Sequence, residues 1–298
     1  MILPAPNDPT DITIAPIWEQ IPIARLDGVI MIIGAPSTGK STLARHLHDR
    51  LQQNHARVAL IDGDMGQASL GPPTTMTLAM GNQGEAAFPP AGSRHHAFVG
   101  DVAPHRHMLP TLVGAHKLVQ QARAAGATAI VFDTTGLIDP QQGGSELKWA
   151  KVSLLRPTTL VALQRGNELE SLLAPLRHSP TLQIIDLPVS DAAQPRDSAA
   201  RREHRIERFR HYFASSSTLE VPWQRLAVFP TATFTLHRLV ALEDSAGFAR
   251  ALGIVTGSDP EHSVVALHTP LESLNEVHAV RLGDLLLNPH TCRETRLD

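Results

Sequence analysis

The chain has 298 residues, 42% of them apolar and 18% charged, with a formal net charge of −3. That composition predicts a globular, soluble protein. Cys292 is the only cysteine, which excludes an internal disulfide and any multi-thiolate metal site. The slightly negative balance excludes non-specific wrapping of nucleic acid but leaves room for a local basic groove. No apolar run approaches the ~20 residues that span a bilayer, so a membrane role is not expected.

Residues 1–21 are Pro-rich and lack periodicity, which predicts an arm laid on the body of the protein. Asp8 and Asp11 stand where a signal peptide needs basic and apolar residues, so the expected address is cytoplasmic. From residue 22 to 222 apolar runs alternate with helical stretches, the pattern of an α/β domain with a parallel sheet and helices on both faces. Strands are expected at 29–33, 58–61, 129–132, 159–163 and 182–185, and helices at 40–54, 111–125, 144–154, 168–176 and 198–214. Residues 223–298 change character. Short β-rich runs such as 232–236, 253–255, 264–267 and 277–280 predict a small barrel or sandwich for packing or partner docking.

The first strand leads into Gly34-Ala35-Pro36-Ser37-Thr38-Gly39-Lys40-Ser41-Thr42, which fits G-x-x-x-x-G-K-[ST]. Leu43, Leu47 and Leu51 then fall on one helical face, so strand, turn and helix follow in the order the motif needs. Gly34 and Gly39 let backbone amides curl toward an anion, and the free amides of the helix start continue that nest. Lys40 is expected on the β and γ phosphates of ATP or GTP, and the Ser41 hydroxyl on Mg²⁺.

The next strand ends in Asp62-Gly63-Asp64-Met65-Gly66-Gln67, placing two carboxylates at the sheet edge where open α/β folds bind ligands. One of them is expected to take a proton from an acceptor hydroxyl or to hold Mg²⁺ through water. For either alone, a helix cap or turn is the bland alternative. Phe132-Asp133-Thr134-Thr135-Gly136 has the shape of a Walker B strand, which makes Asp133 a second candidate for the metal network. His95, His96, His105 and His107 lack an acidic partner at ligand spacing and predict a loop near the active site or plain surface. Finally, residues 196–213 carry six arginines within fifteen residues, Arg196 to Arg210, plus an apolar stripe of Ile206, Phe209 and Phe213. A solvated helix is one reading; beside a P-loop, a mobile lid that clamps transferring phosphate is the other.

Together these motifs resemble those of the polyribonucleotide 5′-hydroxyl kinase family, whose eukaryotic members work in pre-mRNA 3′-end processing, tRNA splicing and ribosomal RNA maturation. The resemblance runs from about Gly28 to Phe213 and implies a kinase of 5′-hydroxyl RNA or DNA ends, with the β-rich tail less clearly covered. It implies Asp64 as general base and Gln67 as orienting the nucleic-acid end. Thr134, Thr135 and Gly136 would form a clasp on the substrate, and Arg196 and Arg201 a pair acting on the phosphates. Asp62 or Asp133 would join Ser41 at Mg²⁺. Gly71-Pro72-Pro73-Thr74 resembles the family's loop beside the acceptor, and Leu137 stands where larger members carry a base-stacking Trp. Two other classes fit part of the pattern: a P-loop kinase of a small nucleoside or nucleotide, and a nucleotide-dependent switch or assembly ATPase that transfers nothing. The sequence names no protein partner.

Overall fold

The computed structural model describes residues 13–55, 57–81 and 88–297, so most of the expected N-terminal arm lies outside the described residues. A first sheet is built from β1 (Gly28–Gly34), β2 (Val58–Gly63), β3 (Thr75–Met80), β4 (Arg94–Phe98), β5 (Ala129–Thr134), β6 (Thr159–Gln164) and β7 (Gln183–Pro188). Its spatial order is β4-β3-β2-β5-β1-β6-β7. The β2-β5-β1-β6-β7 part is parallel, whereas β3 and β4 pair antiparallel at one edge. These two strands were not expected from sequence, because the threonines of Thr75–Met80 and the Arg-His-His start of Arg94–Phe98 break the continuous apolar run that announces β1, β2 and β5.

Period-two alternation along β1 explains how the faces are covered. Val29, Met31 and Ile33 enter one core with residues of α2 (Met108–Ala124), α3 (Gly144–Leu155) and α4 (Glu170–Leu176). Ile30 and Ile32 enter the other with Leu43, Leu47 and Leu51 of α1 (Lys40–Leu51). On that second face the segment from Ala15 to Leu26 buries Trp18, Ile21, Ile23 and Leu26, so it belongs to the core rather than to a loose arm. Among the described residues no helix is long and apolar enough to cross a membrane.

A second sheet follows α5 (Ser198–Phe213). Its strands are β8 (Ser217–Pro222), β9 (Ala227–Phe229), β10 (Arg238–Glu243), β11 (Ala249–Asp259), β12 (Val264–Thr269), β13 (Ala279–Leu287) and β14 (Glu294–Arg296), ordered β14-β13-β10-β11-β12-β8 with β9 beside β13. The path is one open sheet, not a closed barrel or a sandwich. Residues 232–236, expected as a strand, form an irregular loop that ends in a turn at His237 (φ 67°), and β10 begins immediately after it. β8, which sequence grouped with the first domain, pairs antiparallel with β12.

The arginine-rich helix is not a free lid. Ile206, Phe209 and Phe213 of α5 are buried against Leu239, Ala241, Leu252, Ile254 and Leu285 of the second sheet and Phe98 of the first. Tyr212 Oη accepts the Leu252 amide at 2.8 Å, and Arg205 donates to Glu294 Oε1 from Nε at 2.9 Å and from Nη2 at 2.6 Å. The helix is therefore a strut between the two sheets, with its apolar stripe and its polar face assigned to different jobs. Phe209→Ala should lower the unfolding free energy by about 3–5 kcal/mol in urea denaturation, as for other buried aromatic truncations. A loss under about 1 kcal/mol would mean that α5 is peripheral.

Candidate active site

A cavity of about 700 Å³ opens over the P-loop. Its walls are residues 36–42, the turn after β2 (Asp64, Gly66, Gln67, Ser69), the segment Thr135–Leu137 after β5, and Arg196, Arg201, His204 and Arg205 along and before α5. Register explains the convergence. Ile32, Asp62 and Asp133 lie level across the β1, β5 and β2 ladders, so their strands release loops at the same edge.

The P-loop turns left-handed at Ser37 (φ 56°) and Gly39 (φ 90°). Gly34 serves differently from the expected flexing: a Cβ there would sit 2.6 Å from the Leu163 carbonyl oxygen and 2.8 Å from Thr38 Oγ1. The Thr38 hydroxyl donates to Ala35 O at 3.0 Å, and Lys40 Nζ donates to the same oxygen at 2.7 Å. Burial lowers the Lys40 pKa, opposed by the charges of Asp133 and Asp64. Gly39 offers α1 no side-chain cap, leaving its first amides open to an anion.

The two carboxylates after β2 have separate environments. Asp62, 4% exposed, accepts Asp64 N on Oδ1 (3.1 Å) and Ser69 N (2.6 Å), Ser69 Oγ (3.0 Å) and Leu70 N (3.0 Å) on Oδ2. Four donors leave little for a cation, so Asp62 ties the loop together instead of serving Mg²⁺ as expected. Asp64 is part-exposed on the cavity wall, and Gly66 N and Gln67 N both donate to its Oδ1 at 3.0 Å. That carboxylate is oriented through a single oxygen. Gln67, expected to touch nucleic acid, uses its side-chain amide to reach Gly66 O (2.6 Å) and Arg201 O (3.2 Å), joining this loop to α5.

Asp133 is the better metal candidate. Its Oδ2 accepts Ser41 Oγ at 2.5 Å, while its buried Oδ1 has no partner among the described residues. An orphaned carboxylate oxygen beside the P-loop hydroxyl suits a hard divalent cation or its waters. Burial, opposed first by the Lys40 charge, raises the Asp133 carboxyl to about 7.

Within the clasp, Thr134 does not reach the cavity. It is fully buried and donates to Ile32 O at 2.7 Å, whereas Thr135, Gly136 and Leu137 line the wall. A Cβ at Gly136 would lie 2.8 Å from the Pro36 backbone, so only glycine lets clasp and P-loop touch. The residue that sequence reasoning missed is Lys148. Fully buried, its Nζ donates to Thr134 Oγ1 at 2.9 Å and to the Thr135 carbonyl oxygen. Burial holds its pKa well below the ordinary lysine value and brings Lys151, whose Nζ lies 5.1 Å from the Phe132 ring centroid, to about 8. The available signal was position: Lys148 and Lys151 share the spacing of the buried Leu147, Val152 and Leu155.

Three arginine residues meet at Ser37. Its Oγ accepts Arg196 N at 3.2 Å and Arg201 Nη2 at 3.5 Å, and its carbonyl accepts Arg165 Nη2 at 2.9 Å. Arg165, on the turn after β6, carried no sequence signal. The Gly71–Thr74 loop, a binding candidate, is buried and takes no part in the cavity. His105 lines the wall, His107 Nε2 is 2.9 Å from Asp284 Oδ2, and no cluster of three or more His, Cys, Asp or Glu could hold a metal among the described residues.

Residues 34–215 match the family model for the P-loop of mRNA cleavage and polyadenylation factor CLP1. The chain belongs to the CLP1 P-loop family. Its relatives include the polyribonucleotide 5′-hydroxyl-kinase of Pyrococcus abyssi, 33% identical over 216 residues, covering 72% of this chain and 59% of that protein. The corresponding kinase of Methanocaldococcus jannaschii is 30% identical over 215 residues, covering 72% and 58%. This chain thus spans under two thirds of the length of these relatives. The structure of a wild-type Clp1p–Pcf11p complex shares the fold, with a TM-score of 0.65 at 14% identity over 90% of this chain and 76% of that one.

The protonation of Asp133 gives a pH test. A cation needs the carboxylate, so below about pH 7 each binding event must release a proton. Mg²⁺-dependent nucleotide affinity, measured by calorimetry, should fall up to about tenfold per pH unit below that point and level off above it. Asp133→Asn should weaken the affinity and flatten the profile; a flat profile in the wild type would contradict the assignment.

Proposed function

We propose that this chain transfers the γ-phosphoryl group of ATP or GTP to the 5′-hydroxyl of a nucleic acid, RNA foremost and DNA as a second acceptor. The observation that carries this reading is the meeting of a phosphate cradle, an oriented carboxylate and an arginine in one cavity. The family's kinases of known name point to the same acceptor.

In this reading the P-loop amides and Lys40 hold the triphosphate, Lys40 leaving the Ala35 carbonyl for the phosphates. Ser41 and Asp133 would hold Mg²⁺, which when bound offsets charge on the β and γ phosphates. The acceptor 5′-oxygen attacks the γ-phosphorus while the bond to the β–γ bridging oxygen breaks and the nucleoside diphosphate leaves. Asp64, through the oxygen not held by the Gly66 and Gln67 amides, takes the hydroxyl proton. Arg201, whose guanidinium is already at Ser37, and Arg196, whose backbone amide is bound there and which lines the cavity, would neutralise the spreading charge on the transferring group. Thr135 and Gly136 lie along the acceptor, with Lys148 as the positioning residue beneath them.

Purified protein with labelled MgATP should label 5′-hydroxyl oligonucleotides. Asp64→Asn should abolish transfer while sparing nucleotide binding, and Arg201→Ala should slow turnover by about 10³-fold, the scale of an arginine finger. Consumption of ATP by a small nucleoside without labelling of any oligonucleotide would move the acceptor to another class. Asp64→Asn retaining full transfer would remove the general base. Lys148→Met should raise the oligonucleotide KM by about tenfold or more, the scale of a displaced positioning group, with the ATP KM within about twofold. An unchanged oligonucleotide KM would make Lys148 purely structural.

A further inference from the structure

Past the clasp the reaction cavity runs into a shallower groove lined by His105, Arg106, Met108, Leu109, Pro110 and Gln142, and His105 and Gln142 border both spaces. The chemistry changes at that border. Inside are phosphate ligands and a carboxylate. Outside is an apolar shelf at the start of α2, where Leu109 is 77% exposed and Val113, one turn along, 54%. Leu109 and Val113 thus form a small exposed apolar strip beside the reaction cavity. At the edge of the shelf stands Arg106, exposed and without a hydrogen bond or ion pair among the described residues. Its neighbour His107 is instead fixed to Asp284.

We propose that this groove holds the acceptor nucleotide on the 3′ side of the reacting one, its base lying on the Met108–Leu109 shelf and its phosphate facing Arg106. The inference rests on the kinase reading above and extends it to the strand. With the 5′-hydroxyl at Asp64, the reacting nucleoside lies along Thr135–Leu137, and the strand leaves past Gln142. Leu137 gives the first base an aliphatic contact and no ring, so grip on the strand passes outward to the groove. A single-stranded nucleic acid presents, nucleotide by nucleotide, an apolar face and one negative charge, and the groove offers an apolar shelf and one unpaired guanidinium. An acidic or purely apolar protein segment would match only one of those two features.

The test compares acceptors of increasing length on the full chain: a nucleoside without phosphate, a dinucleotide and a decamer, each with a 5′-hydroxyl. KM should fall about tenfold or more from the first to the last, the scale of one added base contact. Leu109→Glu and Arg106→Glu should each return the decamer KM toward the nucleoside value, while the nucleoside kcat/KM and the ATP KM stay within about twofold. Labelling of all three acceptors with equal KM, or a decamer KM unmoved by both variants, would overturn the groove but leave the kinase standing. Absence of transfer to any acceptor would instead overturn the kinase reading. In that event the fluorescence anisotropy of a 3′-labelled decamer still decides the groove: weakened binding by Leu109→Glu and Arg106→Glu supports it, and unchanged binding refutes it.

Discussion

The structure depends on the burial of one apolar stripe. Ile206, Phe209 and Phe213 are fixed against the second sheet, which leaves the opposite side of α5 to face the P-loop. Burying such side chains contributes on the order of 1.5–3 kcal/mol each, far more than an exposed arginine contact supplies. The sheet therefore dictates where the helix's arginines stand, and the Arg201 guanidinium sits at Ser37 because the helix that carries it is held elsewhere. Glu294 adds direction to that hold: its near-complete burial with Arg205 fixes the helix along its axis as well as its face.

A second linkage joins the segment after β5 to the P-loop. Lys148 donates to Thr134, Thr134 donates to Ile32, and Ile32 lies two residues before the P-loop. Gly136 touches Pro36 directly. The segment after β5 and the P-loop are thus held in direct contact, as the proposed transfer between two bound reactants requires. The arrangement has an electrostatic cost, since burial disfavours the charged forms of both lysines, Lys148 and Lys151, an effect that the charges of Asp64 and Asp133 oppose. Neutral acceptors, two hydroxyls and a carbonyl, take the donors of Lys148.

What the sequence revealed follows from how local each feature is. The P-loop is written in nine consecutive residues whose backbone geometry needs no distant partner, and its flanking strand and helix are equally local. Asp62 and Asp64 looked interchangeable because Ser69 and Leu70, which claim Asp62, come from a loop with no periodicity. Lys148 was invisible as a lysine and visible only as a position on a buried face. In α5 the arginines and the apolar stripe were both legible. Its partner strands lie as far on as residue 287, and nothing in the helix distinguishes a strut from a lid. The antiparallel edge was missed because polar residues within β3 and β4 interrupt the continuous apolar run that marked β1, β2 and β5.

Carboxylate, cradle and guanidinium are proposed to act on one phosphorus atom. The most direct measurement is a crystal structure of the chain with Mg²⁺, a non-transferable ATP analogue and a 5′-hydroxyl oligonucleotide. The 5′-oxygen should lie about 3–3.5 Å from the γ-phosphorus, hydrogen-bonded to Asp64, with an Arg201 nitrogen on a γ-phosphate oxygen. An acceptor end bound outside the cavity, or a γ-phosphate that Arg201 does not reach, would contradict that proposal.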